Sequence, residues 1–428
     1  METRAGVCVI GGGAAGLLAA ISASRRRHSI GDDRCGPIVL LERNRVLGRK
    51  LAITGKGRAN VTNERSVEEF VQAFGPSGRF LYPAFEAFFS DDLGALLSEA
   101  GLQLKTERGG RVFPVTDKAQ DVVQALVSLL AREKVDVRYA AHVRGVSRDA
   151  RGWSIEVESS QPFGCDAVVL ATGGKTYPGT GSTGDGYELL GRLGHTVGAL
   201  LPGLVPLHCA ETWMRGLAGT SLEGIAVEAW NGARLLDRRV GEVMITDRGL
   251  GGPAILSLSL AVGPALANSK SVMLRLDLRP ERTSVQVLDD VRGSVNAEGV
   301  LAYVSRFVPR RMAGVLMEHW GLEGKGRAPL SVKVAAAVAR SIKGIELTCT
   351  GMDPVASAII TRGGVSLKEI DPRSMASKVC PGLFVAGELL DLQAITGGFN
   401  LQAAFSTGFM AGKCAVEYIA KSANGDRL

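Results

Sequence analysis

The chemistry most legible in this chain sits near its start. Gly11-Gly12-Gly13-Ala14-Ala15-Gly16 places Gly11, Gly13 and Gly16 in a G-x-G-x-x-G spacing. Between a strand and a helix that spacing binds the pyrophosphate of a dinucleotide. The first glycine makes the tight turn, the second lets the backbone approach the phosphates, and the third lets helix and strand pack closely. The helix N-terminus adds free N–H groups and a partial positive charge. Glu42 is the companion residue, because an acid ending the second strand accepts hydrogen bonds from a ribose 2′-hydroxyl and repels a 2′-phosphate. Arg43 follows it. Next, Gly48–Asn63 alternates glycines with cations (Arg49, Lys50, Gly55, Lys56, Gly57 and Arg58) and adds the polar Thr54 and Asn60. Flexible glycines and cations suit a pyrophosphate and an electron-rich ring, and Arg58 and Asn60 are also candidates for catalysis.

The elements that must hold these residues follow from periodicity. Val7–Ile10 and Ile38–Leu41 read as short buried parallel strands, with a helix over Leu17–Ser24 between them. The polar stretch His28–Pro37 accounts for the long gap from Gly16 to Glu42. Thr116-Asp117 is expected to cap a helix running to about Glu133, followed by strands at Val135–Tyr139 and His142–Val146. Phe163–Leu170 is a further strand. From Leu200 short strand-like runs (Val205–Cys209, Ile225–Trp230, Val243–Thr246, Val272–Leu276) give way to helical patterns between about Glu281 and Arg340. Leu383–Ala386 is a last buried strand, and Leu401–Tyr418 an apolar helix. Lys175-Thr176 extends a glycine turn, but Val169 stands where a P-loop needs glycine, so ATP binding is not expected. A second glycine triplet, Gly179, Gly181 and Gly184, has no strand directly before it.

Composition narrows the class. The 428 residues are 46% hydrophobic and 22% charged, which excludes a disordered chain. The seven cysteines are odd in number and irregularly spaced, which argues against a disulfide framework or a zinc site. The five histidines show no metal spacing, so no metal is expected. The glycine-broken N-terminal run is unlike a secretory leader, and no apolar stretch reaches 18 residues, which points to a cytoplasmic protein with no membrane span. Few aromatic residues are available as base-stacking platforms. Residues 1–60 hold eleven Lys and Arg against four acids, so the net charge of +7 is concentrated there. An anion is expected nearby.

These motifs resemble bacterial NAD(P)/FAD-dependent oxidoreductases, a family that includes dehydro-bile-acid reductases, aminoacetone oxidases and flavin-dependent ribosomal RNA dihydrouridine synthases. The matching blocks span nearly the whole chain. They include Gly11–Gly16, Gly48–Asn63, Gly110–Pro114, Ala171–Gly186, Thr361–Val365, Pro381–Asp391 and Thr396–Gln402. The family commonly has Gly-Arg-Cys-Asn where this chain reads Gly57-Arg58-Ala59-Asn60, so a cysteine proton donor is absent here.

The resemblance implies an α/β fold: a Rossmann-like FAD-binding domain of glutathione-reductase type with an inserted β-barrel-like subdomain and a helical cap. The expected boundaries are 1–199 with 352–428 for the FAD domain, 200–280 with 341–351 for the β insert, and 281–340 for the helical part. The resemblance also extends the cofactor contacts to Val143 (adenine), Ala171, Thr172 and Gly173, Gly184 and Asp185, Gly387 and Glu388 (ribityl chain, with Asp391 as rival), and Gly398, Asn400 and Leu401. Asp247 and Arg248, which the family places on the insert side of the flavin, are further catalytic candidates. The implied activity is hydride transfer through flavin N5 to an activated C=C, with NAD(P)H visiting transiently as donor. Alternatives are reduction of uridine in ribosomal RNA, or amine oxidation by O2. A small-molecule substrate is the expected partner, with RNA as the other.

Overall fold

The computed structural model describes residues 4–31, 35–149, 152–322 and 331–423, which leaves Asp32, Asp33 and Arg34 of the basic N-terminal segment and 323–330 of the helical part outside the described residues. The chain forms two compact units: 1–201 with 360–428, and 202–359.

The first unit is built on a seven-stranded sheet. Its strands are β1 (Ala5–Ile10), β2 (Ile38–Leu41), β3 (Asp136–Arg138), β4 (Val143–Asp149), β5 (Gly152–Val157), β6 (Phe163–Leu170) and β7 (Leu383–Val385). The order is β3-β2-β1-β6-β5-β4, and β7 also pairs with β6. β1, β2, β3, β6 and β7 run parallel, with Val7 beside Ile38 and Ala167. Parallel strands are covered on both faces, which is why β1 and β2 are continuous apolar runs with every residue buried. β6 takes β5 as an antiparallel neighbour at Phe163–Cys165 and the distant β7 at Val168–Leu170. The C-terminal segment therefore completes a sheet begun by the N-terminus.

Three helices matter for the site: α1 (Ala14–Ile30), α2 (Asp185–Arg192) and α3 (Phe399–Ala423). α1 and α3 pack backbone to backbone. A Cβ at Gly408 would lie 2.1 Å from the Ala15 carbonyl oxygen, and one at Gly412 would lie 2.0 Å from that of Ala19. Glycines four apart share a helix face, so this pair opens a groove for α1.

The helix expected after Asp117 is present as Ala119–Arg132, but its N-cap is Lys118, with no side-chain cap. Asp117 instead adopts φ 56° and turns its carboxylate to Arg58 and Lys105. Two cations outcompete the backbone N–H groups for it.

The second unit contains a closed six-stranded barrel in the order Leu207–Cys209, Gly249–Gly251, Arg234–Thr246, Ser221–Asn231, Val272–Asp277 and Ile345–Met352. Alternate residues of Ile345–Cys349 are buried, as a barrel interior demands. Val287, Tyr303, Leu316 and Ile342 from the helices share one apolar core with Val227, Leu274 and Leu347 of the barrel. Barrel and helices thus form one unit rather than two. That unit runs to Ile359, beyond the expected boundary at 351.

Candidate functional site

The glycine turn after β1 is held from three sides. Gly11 N–H donates to Leu41 O (2.8 Å), Gly12 N–H to Glu42 Oε2 (2.8 Å), and Gly48 N–H to Gly12 O (2.9 Å). A Cβ at Gly11 would meet Ala171 O at 2.5 Å, and one at Gly16 would meet Gly11 O at 1.8 Å. Gly13 differs: nothing lies within 4 Å of its Cβ position, and it is the N-cap of α1 with no side-chain cap. The helical ladder starts with Leu17 N–H on Gly13 O (2.9 Å), so the N–H groups of Ala14, Ala15 and Gly16 lie ahead of it. Bare N–H groups beside open space suit a dianionic pyrophosphate. Glu42 ends β2 as expected, and is buried. Its Oε1 accepts from Asn44 N (2.8 Å) and Asn44 Nδ2 (2.6 Å), which fixes the carboxylate at the carboxyl end of β2.

A second bare helix start is that of α3. Gln402 N–H is bonded to Gly398 O (3.1 Å), so the N–H groups of Phe399, Asn400 and Leu401 precede the ladder. Gly398 has φ 97°, and a Cβ there would lie 2.3 Å from Thr62 O and 3.0 Å from Asn60 Oδ1. The structure thus brings Asn60 to the start of α3, although 338 positions separate Asn60 from Gly398 in the chain. Among the described residues, Asn60 Oδ1 is buried without a hydrogen-bond partner, as is Thr172 Oγ1 after β6. Two such acceptors fit a polar cofactor that would satisfy them. Asn400 is turned to its own loop, with Ala394 N–H donating to Oδ1 (2.9 Å) and Nδ2 donating to Ala394 O (3.0 Å).

Several cations expected to meet an anionic cofactor are paired within the chain. Lys50 Nζ lies 2.6 Å from Glu388 Oε2 and 2.5 Å from Thr176 Oγ1, while Thr361 N–H donates to Glu388 Oε1 (2.7 Å). Both oxygens of Glu388 are thereby engaged. Arg58 stacks 4.3 Å over the Phe113 ring and binds Glu107 and Asp117. The hydrogen bond from Arg58 holds the Glu107 carboxyl below its usual range, and Lys105, then Arg58, does the same for Asp117. Arg43 binds Thr183 Oγ1 (2.6 Å) and Asp185 Oδ2 (2.8 Å), and His142 Nε2 meets Asp185 Oδ2 as well (2.8 Å). Asp185 and the N-cap Gly184 of α2 therefore cluster with Arg43, beside Glu42 and Val143. Arg25 pairs with Glu99 and Glu133, Arg26 with Glu417, and Arg4 with Asp166. Arg4, Arg25, Arg26, Arg43, Lys50 and Arg58 are thus each paired with an acid from later in the sequence.

The remaining candidates divide. Arg49 donates to Asn44 Oδ1 (2.9 Å), and Thr54 Oγ1 to Leu51 O (2.7 Å) at the end of a short helix. Gly55 and Gly57 have φ 57° and 84°, and Gly173 and Gly387 have φ 76° and 73°. A Cβ on Gly387 would lie 2.8 Å from that of Ala15, so the turn after β7 meets the start of α1. Ala59 is fully buried with φ 56°. In the second unit, Asp247 and Arg248 are the exposed tip of a hairpin closed by Thr246 opposite Gly249. Sequence reasoning missed Gly408 and Gly412, whose four-residue spacing was the available signal.

A family model described as the HI0933-like protein Rossmann domain matches residues 5–414. The chain belongs to this family. Its fold is the Rossmann-domain α/β architecture of that family. Among the relatives, the 3-dehydro-bile acid delta(4,6)-reductase of Clostridium scindens is 31% identical over 419 residues, covering 96% of this chain and 98% of that protein. The ribosomal RNA dihydrouridine synthase of Escherichia coli is 26% identical over 415 residues, covering 96% and 97%. The solved 3-ketosteroid-delta4-(5alpha)-dehydrogenase of Rhodococcus jostii RHA1 shares the fold at a TM-score of 0.51 and 16% identity, covering 97% of each chain. Among the described residues of this family member no helix is long and apolar enough to cross a membrane.

Proposed function

We propose that this chain, an FAD-dependent oxidoreductase by family, reduces an activated C=C of a small apolar molecule, with NAD(P)H as a transient donor, in the cytoplasm. The observation that carries the cofactor reading is the pair of bare helix starts, α1 and α3, in one unit with the buried acid Glu42. Ala14, Ala15 and Gly16 would hold the pyrophosphate through their N–H groups, with Gly13 leaving room for it. Glu42 would take a ribose hydroxyl. Asn60 Oδ1, Thr172 Oγ1 and the first N–H groups of α3 would meet the remainder. When bound, FAD would supply hydride transfer through its N5 atom. The N-terminus of α3 favours negative charge developing near it. Lys50 and Arg58, held by carboxylates, keep the loop in place. Position 59 is an alanine and carries no titratable proton, so the proton must come from another group.

The substrate class follows the full-length similarity to a reductase of a dehydro-bile acid. The test is anaerobic reduction of the FAD-loaded protein by NADH and by NADPH, then reoxidation by a conjugated enone. Bleaching by either nicotinamide and recovery with the enone is the expected result. No bleaching by nicotinamides, but fast bleaching by an amine and recovery with O2, would make it an oxidase. A second reading, reduction of uridine in ribosomal RNA, is favoured by the full-length similarity to the Escherichia coli synthase. Unchanged dihydrouridine in ribosomal RNA of a deletion strain, read by mass spectrometry, would remove it.

A further inference from the structure

Asn63 is a buried amide, 1% exposed, at the end of the basic glycine segment. Its Nδ2 donates to Gly397 O (2.9 Å) and Gly109 O (3.2 Å), and its Oδ1 accepts from Arg65 N–H (3.3 Å). One side chain thus joins three backbone segments, one of them 334 residues away. Gly397 and Gly398 have φ 135° and 97°, a turn that side chains disfavour, and Phe399 directly after it begins α3. The turn is also pressed against the Thr62 backbone, since a Cβ at Gly398 would sit 2.3 Å from Thr62 O. On the far side Asn400 pins the preceding loop through Ala394. The start of α3 is therefore held by one asparagine from each flank, and the one from the glycine segment also fixes its spacing to Asn60.

We infer that Asn63 is a positioning residue for the redox site: its amide sets where α3 begins, and so the register between the bare N–H groups of Phe399, Asn400 and Leu401 and the Asn60 carbonyl. This rests on the flavin reading above. No other residue type of this size donates twice and accepts once at these positions. Aspartate keeps the shape but, when ionised, has no proton for Gly397 O or Gly109 O. Alanine removes both bonds, so the half-buried Gly397 carbonyl and the exposed Gly109 carbonyl lose this donor.

The test uses the full chain with Asn63→Ala and Asn63→Asp. In the cofactor-free protein, hydrogen exchange of the Gln402 amide, which is bonded to Gly398 O, should speed up about tenfold in both variants, with barrel peptides unchanged. In the FAD-loaded protein, the preference for reduced over oxidised flavin should fall about tenfold, or about 30 mV for a two-electron couple. Unchanged exchange at Gln402 would overturn the clamp. Faster exchange with an unchanged potential would reduce Asn63 to a structural residue and overturn the inference. If the parent chain takes up no FAD, the flavin reading fails and the redox role with it, while the exchange measurement still reports on the clamp. Should Asn63→Ala not fold, Asn63→Asp, which keeps the volume, gives both readings.

Discussion

At the residue scale, glycines of one motif do separate jobs. Gly16 is a packing glycine, because a methyl group there would collide with the Gly11 carbonyl oxygen at 1.8 Å. Gly13 faces open space with φ −86°, which any residue adopts. Gly16→Ala should therefore destabilise the fold by about 2–4 kcal/mol, as overpacking against backbone does. Gly13→Leu should leave unfolding in urea within about 0.5 kcal/mol of the parent while FAD binding, read by fluorescence quenching, is lost. Equal effects of the two substitutions on stability would refute this division. The cysteines show the same contrast between type and environment. Burial pushes the Cys209 thiol up to about 12 and the Cys349 and Cys414 thiols up to about 11, so none is a ready thiolate.

At the element scale, Arg58 joins the glycine segment to the hairpin made by strands Leu104–Glu107 and Arg111–Pro114. Its partners Glu107 and Asp117 are held below their usual range, chiefly by side-chain hydrogen bonds from Arg58 and Lys105. A depressed carboxylate stabilises the fold fully above its unfolded value, about 4, and loses that contribution as pH falls through its folded value. Arg58→Met should thus lower the thermal midpoint at pH 7, and the gap from the parent should close as pH falls below about 4. A gap independent of pH would assign the loss to stacking on Phe113 alone. His195 works in a similar way between elements. Its ring is buried, with Nδ1 at 3.0 Å from Glu369 Oε2 and Nε2 at 2.8 Å from Ser377 Oγ. The arrangement resembles a hydrolase triad, but Ser377 Oγ also accepts from Val379 N–H (3.1 Å) and Cys380 N–H (2.8 Å). With Ser377 buried and so engaged, the chain of bonds ties loops together.

At the scale of the whole molecule, the first unit is discontinuous in sequence and the second is not. β7 and α3 arrive after the insert, and α3 lies along α1. A fragment of residues 202–359 should fold alone with a cooperative thermal transition, since barrel and helices share one core. Residues 1–201 alone should not, because the face of α1 opened to Gly408 and Gly412 would be bare. Circular dichroism of the two fragments decides it, and a cooperative 1–201 would refute the claim. What the sequence by itself determined was local. The strand–glycine–helix turn, the acid ending β2, the buried parallel strands and parts of four barrel strands follow from residue type and spacing within short windows, whereas Gly249–Gly251 and Ile345–Met352 are strands only through their partners in the barrel. Tertiary structure alone decided which charges meet. Lys50 finds Glu388, Arg26 finds Glu417, and Asn60 finds Gly398, each across more than 300 residues. A count of charge along the chain pointed to an anion near the N-terminal excess, and the fold sets six of those cations against acids of the same chain. Coulomb attraction and hydrogen bonding depend on distance in space, and sequence spacing bounds that distance only within a few turns of the same element.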